Sequence, residues 1–177
     1  MKKIIEYAMK LSKNFIFPVY IDDITIKKIM VLCKNFENEI FGYLIGNILK
    51  WEEKVYIVIE ELLFLLGAVY SDKYFTSQIE GTAGKYESKF QRLKKRTNNQ
   101  DLRILGWFHS HPDFGCFLSS TDLKTQRYFF PESYQVALVV DPIRDEYQFF
   151  TLDNDSEKGY KSISYAIISK KLKNRYK

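Results

Sequence analysis

Cysteine is almost missing from this chain, and the two present, Cys33 and Cys116, lie far apart and form no Cys-x-x-Cys pair. That excludes a disulfide framework and a thiolate zinc knuckle, and it leads us to expect a reducing, cytoplasmic setting. Internal repeats, low-complexity tracts and a domain-separating linker are also absent, with only eight glycines and four prolines present, so nothing divides the 177 residues into separate units. A leader or membrane anchor is not expected at the N-terminus either. Met1-Lys2-Lys3 starts basic like a signal, but Glu6 and Lys10 interrupt the apolar residues that follow. Histidine is as scarce as cysteine, and both copies, His109 and His111, fall in one short segment.

What is present describes a globular domain. Hydrophobic residues make up 46% of the chain and aromatics 16%, enough to bury a core without staples and too much for a disordered chain. The net charge of +5 comes largely from Lys94-Lys95-Arg96 and the basic residues 170–177. Such runs read first as a solvated face and a frayed end. No interleaving of aromatic and basic residues supports a nucleic-acid partner, so nucleic acid is not expected to bind. The Lys-, Ile- and Asn-rich composition fits a bacterial or archaeal source.

We divide the chain into an N-terminal helical segment (1–14), one domain (15–168) and a basic tail (169–177). In the first segment Ile4, Ile5, Ala8 and Leu11 share a helical face that would cover the domain or dock on a partner. A strand is expected over 15–21. Asp22 or Asp23 then caps a helix carrying Ile26, Ile29, Met30, Cys33 and Phe36, which ends within 35–38. Runs of β-branched and aromatic residues over 39–49 and 54–66, joined by 50–53, predict a hairpin. Tyr86, Phe90 and Leu93 predict an amphipathic helix over 82–96, and a strand follows over 102–108. A short helix starts at Ser119-Ser120 and stops before Pro131. Strands over 135–140, 146–152 and 163–168 complete a mixed α/β (α+β) layered fold, with 141–145 as a turn.

His109 and His111 sit where the apolar run Ile104 to Phe108 gives way to a loop. Residues i and i+2 of an extended segment point to one face, so both imidazoles can reach one ion. Asp122 follows, and two imidazoles, one carboxylate and a fourth position for water form the ligand set of a catalytic zinc site. Each part has a plainer reading: a strand histidine is often a core residue, and Ser119-x-x-Asp122 is a helix-capping pattern.

Taken together, His109-x-His111-Pro112, six residues, then Ser119-x-x-Asp122 resembles the motif of the JAMM (MPN-plus, or JAB-domain) metalloprotease family. Glu39-Ile40-Phe41-Gly42-Tyr43-Leu44-Ile45-Gly46 matches that family's upstream Glu-x-x-Gly-x-Leu-x-Gly at all four positions. The likeness runs over about 19–152. It takes in Gly106-Trp107, Thr125-Gln126 and Val139-Val140-Asp141-Pro142, and the loop Phe114 to Leu118 is in the style of the deubiquitinase branch.

The resemblance implies an MPN/JAB fold, a central mixed, curved β-sheet flanked by helices in the cytidine-deaminase-like manner. It implies one Zn²⁺ per chain on His109, His111 and Asp122, with Glu39 as general base and Ser119 as donor to the oxyanion. Glu37 competes with Glu39 on spacing alone but does not precede Gly42 by three. The implied substrate is a peptide or isopeptide bond after the Gly-Gly tail of ubiquitin, a ubiquitin-like protein or a sulfur carrier, and an E1/E2-like conjugation system is the implied partner. Tyr70, Tyr74 and Phe75 are candidates for gripping the modifier or for filling the core. We read Cys116 as a packing residue, since a cysteine nucleophile would leave both histidines without a role. The chain ends soon after the matched region, which suits a small, self-contained enzyme. The alternatives are a noncatalytic scaffold of the same fold, a nucleic-acid-associated protein and a zinc-dependent base deaminase; the His-x-Glu and Pro-Cys-x-x-Cys of the last are missing.

Overall fold

In the computed structural model the backbone is described for residues 17–69 and 72–169, and the side chains for 17–65 and 84–169. The helical segment expected over 1–14, the tail beyond 169 and the side chains of Tyr70, Tyr74 and Phe75 lie outside the described residues.

Strand β1 (Val19–Asp22) is wholly buried, and it starts later than the apolar run suggested. Pro18 has no N–H to donate to a ladder; its carbonyl instead accepts the Ile57 N–H at 3.0 Å. Asp22 ends the strand and begins helix α1 (Asp23–Lys34), its carboxylate accepting the Ile24 N–H at 2.9 Å as an N-cap. The helix buries Ile26, Ile29 and Cys33 at the spacing of one face and stops at Asn35. Phe36 therefore lies past the helix, its ring 5.7 Å from that of Phe64.

Strands β2 (Ile40–Trp51) and β3 (Lys54–Val69) form the expected hairpin, turning at Glu52. Two motif glycines earn their place in β2 by space alone: a Cβ at Gly42 would overlap the Phe108 ring, and one at Gly46 the Val58 carbonyl. Helix α2 (Asp72–Thr97) begins ten residues before the start expected at 82. Gly81, Thr82 and Gly84, poor helix formers, fall in its interior and interrupt the helical signal, although Phe75, Ile79 and Ala83 continue the spacing of Tyr86, Phe90 and Leu93 toward the N-terminus. Then come β4 (Arg103–Ser110), α3 (Ser120–Phe129), β5 (Val136–Asp141), β6 (Glu146–Leu152), β7 (Tyr160–Ser162) and β8 (Tyr165–Ile168). The three-residue β7 lies between two expected strands, where no element is expected, and β8 starts two residues later than expected.

One mixed sheet holds all eight strands in the order β7-β6-β5-β4-β2-β3-β1-β8. Its two edge strands are consecutive in the chain, with only Ile163 and Ser164 between them. The sheet must therefore curl until its edges nearly meet. Tyr165 of β8 packs across the gap on Tyr147 and Phe149 of β6, at 5.7 and 5.1 Å. Inside the curl, α1 packs with Ile21, Leu44, Ile59, Leu105, Phe108, Leu138 and Phe149. On the outer face, Phe41, Trp107, Leu118, Phe130, Ala137, Val139 and Phe150 form a second core next to α3.

An irregularity in the β2–β4 register at Leu44/Ile45 decides which face receives the histidines. Strict alternation would put Leu105 and Trp107 together. The slip instead places Leu105 and Phe108 in the inner core and Trp107 in the outer one. Trp107 is fully buried, and truncating it to Ala would cost about 3–5 kcal/mol. Among the described residues no helix is long and apolar enough to cross a membrane.

Candidate metal centre

Strand β4 lies between β2 and β5, and its C-terminal end carries the two histidines. Phe41 pairs with His109 in the antiparallel β2–β4 register, so Glu39, two residues earlier, comes to lie across from His111. Ser110, between the histidines, faces the other way and fastens this arrangement: its buried Oγ accepts the Ile40 N–H at 3.0 Å. The third group arrives on α3. Ser119 is the helix N-cap; its Oγ accepts the Asp122 N–H at 3.2 Å, and its own N–H donates to Asp122 Oδ2 at 2.7 Å. This reciprocal box turns the Asp122 carboxylate back toward the strand end. The capping and ligand readings are thus compatible, because one carboxylate has an oxygen for each.

The three groups converge. His109 Nε2 lies 3.0 Å from His111 Nε2 and 3.3 Å from Asp122 Oδ1, and His111 Nε2 lies 3.5 Å from Asp122 Oδ2. In a tetrahedral sphere with bonds of about 2.0–2.1 Å, ligand atoms stand roughly 3.3 Å apart. The observed separations bracket that value, and the donor set of two imidazoles and a carboxylate suits zinc. All three residues are buried, whereas Glu39 is about one-third exposed and places Oε1 3.9 Å from His111 Nε2. Glu37 is exposed, and the carboxylate at the site is that of Glu39.

Surrounding groups orient the imidazoles. The Trp107 ring stacks on His109 at 4.5 Å and 13°, and its Nε1–H donates to Gln126 Oε1 at 2.7 Å. Gln126 in turn donates to the carbonyls of Phe130 and Gln135. His111 Nδ1 lies 3.3 Å from the Gly115 carbonyl oxygen, and the Phe117 ring leans on the His111 ring at 4.9 Å while 41% exposed.

Burial raises the Glu39 carboxyl above its ordinary pKa, outweighing the pull of His111 and His109, and Asp122 pushes it further up. For His111 burial acts downward, but the hydrogen bond and charge of Asp122, the charge of Glu39 and the Gly115 carbonyl prevail and raise it. Burial pushes the Cys116 thiol up to about 11, and its Sγ–H points to the Val139 carbonyl at 3.5 Å. That is a packing role, as expected.

Two contributors escaped the motif reading. Ser110 is only the unspecified position between the two histidines in the motif. Asp141 was visible in Val139-Val140-Asp141-Pro142 but was read only as part of a turn; it is wholly buried and binds the loop that follows His111.

The family described as JAB1/Mov34/MPN/PAD-1 ubiquitin protease matches residues 17–132. The 26S proteasome regulatory subunit RPN11 of Eremothecium gossypii is 45% identical over 67 residues, covering 37% of this chain and 21% of that protein. The ubiquitin carboxyl-terminal hydrolase RPN11 of Saccharomyces cerevisiae is 43% identical over 67 residues, 37% of this chain and 22% of that one. The chain thus spans about a fifth of the length of these relatives. Among solved structures, protein DSY2949 of Desulfitobacterium hafniense superposes with a TM-score of 0.54 at 14% identity, covering 86% of this chain and 94% of that one, which is a likeness of fold.

Proposed function

The chain belongs to the JAB1/Mov34/MPN/PAD-1 family, and from that premise we propose that it is a zinc-dependent peptidase or isopeptidase cleaving after the Gly-Gly tail of ubiquitin, a ubiquitin-like protein or a sulfur-carrier protein. The observation that carries this reading is the meeting of His109, His111 and Asp122 at zinc-like separations, with the Glu39 carboxylate beside them on the open side. His109, His111 and Asp122 would hold one zinc ion. When bound, zinc supplies Lewis acidity, lowering the pKa of water from 15.7 to about 7.

The protein groups do the rest. Glu39 takes a proton from the attacking water. As the carbon–nitrogen bond breaks, it returns that proton to the leaving amine, so the carbonyl carbon keeps the hydroxyl and the nitrogen departs neutral. A carboxyl whose pKa is raised by burial suits this two-way duty. Ser119 Oγ already accepts from the Asp122 N–H, which leaves its hydroxyl proton to donate to the carbonyl oxygen as negative charge develops there. A Gly-Gly tail has no side chains to clash near a narrow opening, and it can be held by backbone hydrogen bonds as an added strand. An E1/E2-like conjugation system would supply the conjugate, in the cytoplasm; the free thiols of Cys33 and Cys116 are in keeping with that compartment.

The test is to load the protein with zinc and supply a ubiquitin-like domain fused through Gly-Gly to a reporter. Glu39→Gln should keep its zinc and lose about 10²–10⁴-fold in turnover. Full activity in that variant removes Glu39 as the base, and a wild type that binds zinc but cleaves no such fusion favours a scaffold.

A further inference from the structure

His111 can present Nε2 to an ion only if its proton sits on Nδ1, because a neutral imidazole carries one proton. Nδ1 faces the Gly115 carbonyl oxygen at 3.3 Å. A carbonyl only accepts, so Nδ1 must be the donor, and the placement of that one carbonyl selects the ligating tautomer. Gly115 lies in a loop and adopts φ +80, a left-handed conformation open to glycine without steric penalty.

The group that fixes Gly115 comes from elsewhere in the sheet. Asp141, at the end of β5 and wholly buried, accepts the Gly115 N–H on Oδ2 at 2.7 Å and the Asp113 N–H on Oδ1 at 3.0 Å, reaching 26 and 28 residues along the chain. It also accepts the N–H groups of Ile143 and Arg144 in its own turn, at 3.0 and 3.1 Å. Those two bonds alone would make it an ordinary turn aspartate. The two bonds to the distant loop have no such local purpose.

We propose that Asp141 is a positioning residue for the metal centre, acting through Gly115: its carboxylate holds the Gly115 N–H, and the Gly115 carbonyl in turn holds His111 in the tautomer that leaves Nε2 as a ligand. The proposal rests on the reading of His109, His111 and Asp122 as a zinc site. Burial acts to raise the Asp141 carboxyl, but the N–H groups of Gly115, Arg144, Asp113 and Ile143 outweigh it and hold the group below its ordinary pKa, as a bound carboxylate requires. Arg144 is the comparison. It donates to Asp113 through Nη2 at 2.7 Å and Nε at 3.2 Å, and its Nε stands 3.5 Å from Asp141 Oδ2, so it secures the same loop and flanks the same carboxylate without a hydrogen bond to Gly115.

The experiment measures zinc affinity by competition with a chromophoric chelator for the wild type, Asp141→Asn and Arg144→Met, alongside nitrogen-15 spectra of the histidine rings. Asp141→Asn should weaken zinc binding roughly 10- to 100-fold, the range seen when groups behind the ligands are altered. Its His111 Nδ1–H signal should lose protection from exchange. Arg144→Met leaves the Asp141 carboxylate and its four N–H donors in place, so it should weaken zinc binding less than Asp141→Asn does and keep the Nδ1–H protected. Wild-type affinity in Asp141→Asn overturns the proposal. Should that variant not fold, the zinc-loaded wild type decides: a His111 proton on Nε2, or an Nδ1–H exchanging like that of an exposed imidazole, overturns it as well. A wild type that binds no zinc defeats the metal-centre reading, and that result is separate from the comparison of variants.

Discussion

Asp122 and Asp141 are both completely buried, yet their surroundings satisfy them in opposite ways. Asp141 is ringed by four backbone N–H groups, with Arg144 Nε 3.5 Å away. Hydrogens fill the space around that carboxylate, so a cation has no approach to it. Asp122 receives the Ser119 N–H but also faces two imidazole nitrogens at 3.3 and 3.5 Å, atoms that offer lone pairs when neutral. A buried carboxylate is tolerable in either setting. Only a cluster with several acceptor atoms pointing at one another is suited to hold an ion. The lesson is that the nature of the neighbours, and not burial or charge, separates a structural acid from one suited to a metal ion.

That contrast can be broken at several strengths. The largest effect is expected from Asp122→Asn, which should lose most of its zinc, more than the roughly 10–100-fold weakening that changes behind the ligands produce. Elemental analysis of the purified variant checks this, with His109→Ala as a parallel case. Zinc retained at one per chain in either variant would place the ion elsewhere.

Ser119→Ala separates the two duties of the cap. Removing an N-cap hydroxyl costs about 1 kcal/mol of stability, while removing an oxyanion donor lowers kcat about 10²–10³-fold. A variant with the first deficit and unchanged kcat would restrict Ser119 to capping.

Asp141 gives a pH signature. Its folded pKa lies below the ordinary carboxylate value, so its contribution is complete above the unfolded pKa of about 3.9 and declines as pH falls through the folded value. The stability gap between wild type and Asp141→Asn, measured by urea unfolding of metal-free protein, should therefore be wide at pH 7 and shrink below about pH 4. A gap that stays constant over that range would mean the carboxylate's charge is not what the N–H groups bind. The smallest effect belongs to the exposed Lys34–Asp145 pair at 2.6 Å, near the same turn. Lys34→Met should change stability by less than about 1 kcal/mol in thermal unfolding.

Local pattern was legible wherever one residue type answered to one physical need. Asp22, one of the two caps offered, the Ser119 cap and the span of β6 appear as the residues implied, and the hairpin forms with a turn narrowed from 50–53 to 52–53 because Lys50 and Trp51 pair with Val55 and Lys54. The candidate ligands were legible too, because the scarcity of histidine makes His109-x-His111 conspicuous. The early start of α2 was not, since Gly81 and Gly84 interrupt the helical signal between its first turns and the stripe of Tyr86, Phe90 and Leu93. Neither was β7, whose three residues are too few for alternation to register and which owes its existence to pairing with β6. Ser110 and Asp141 were missed for a related reason: their partners, Ile40 and Gly115, are 70 and 26 residues away, beyond the reach of any local motif.

By itself the sequence determined which chemical groups are available and the short-range geometry around them: two imidazoles on one face of a strand, and an acid turned inward by a helix cap. Side-chain direction in strands and caps depends on neighbours a few residues away, and those neighbours are written in order. Tertiary structure alone decided that Glu39 lies across from His111, that a slipped register turns Trp107 and His109 toward α3, and that a carboxylate on β5 governs a loop after β4. Each of these depends on which strands lie side by side and in what register, and that is settled only when the curled sheet closes over its core.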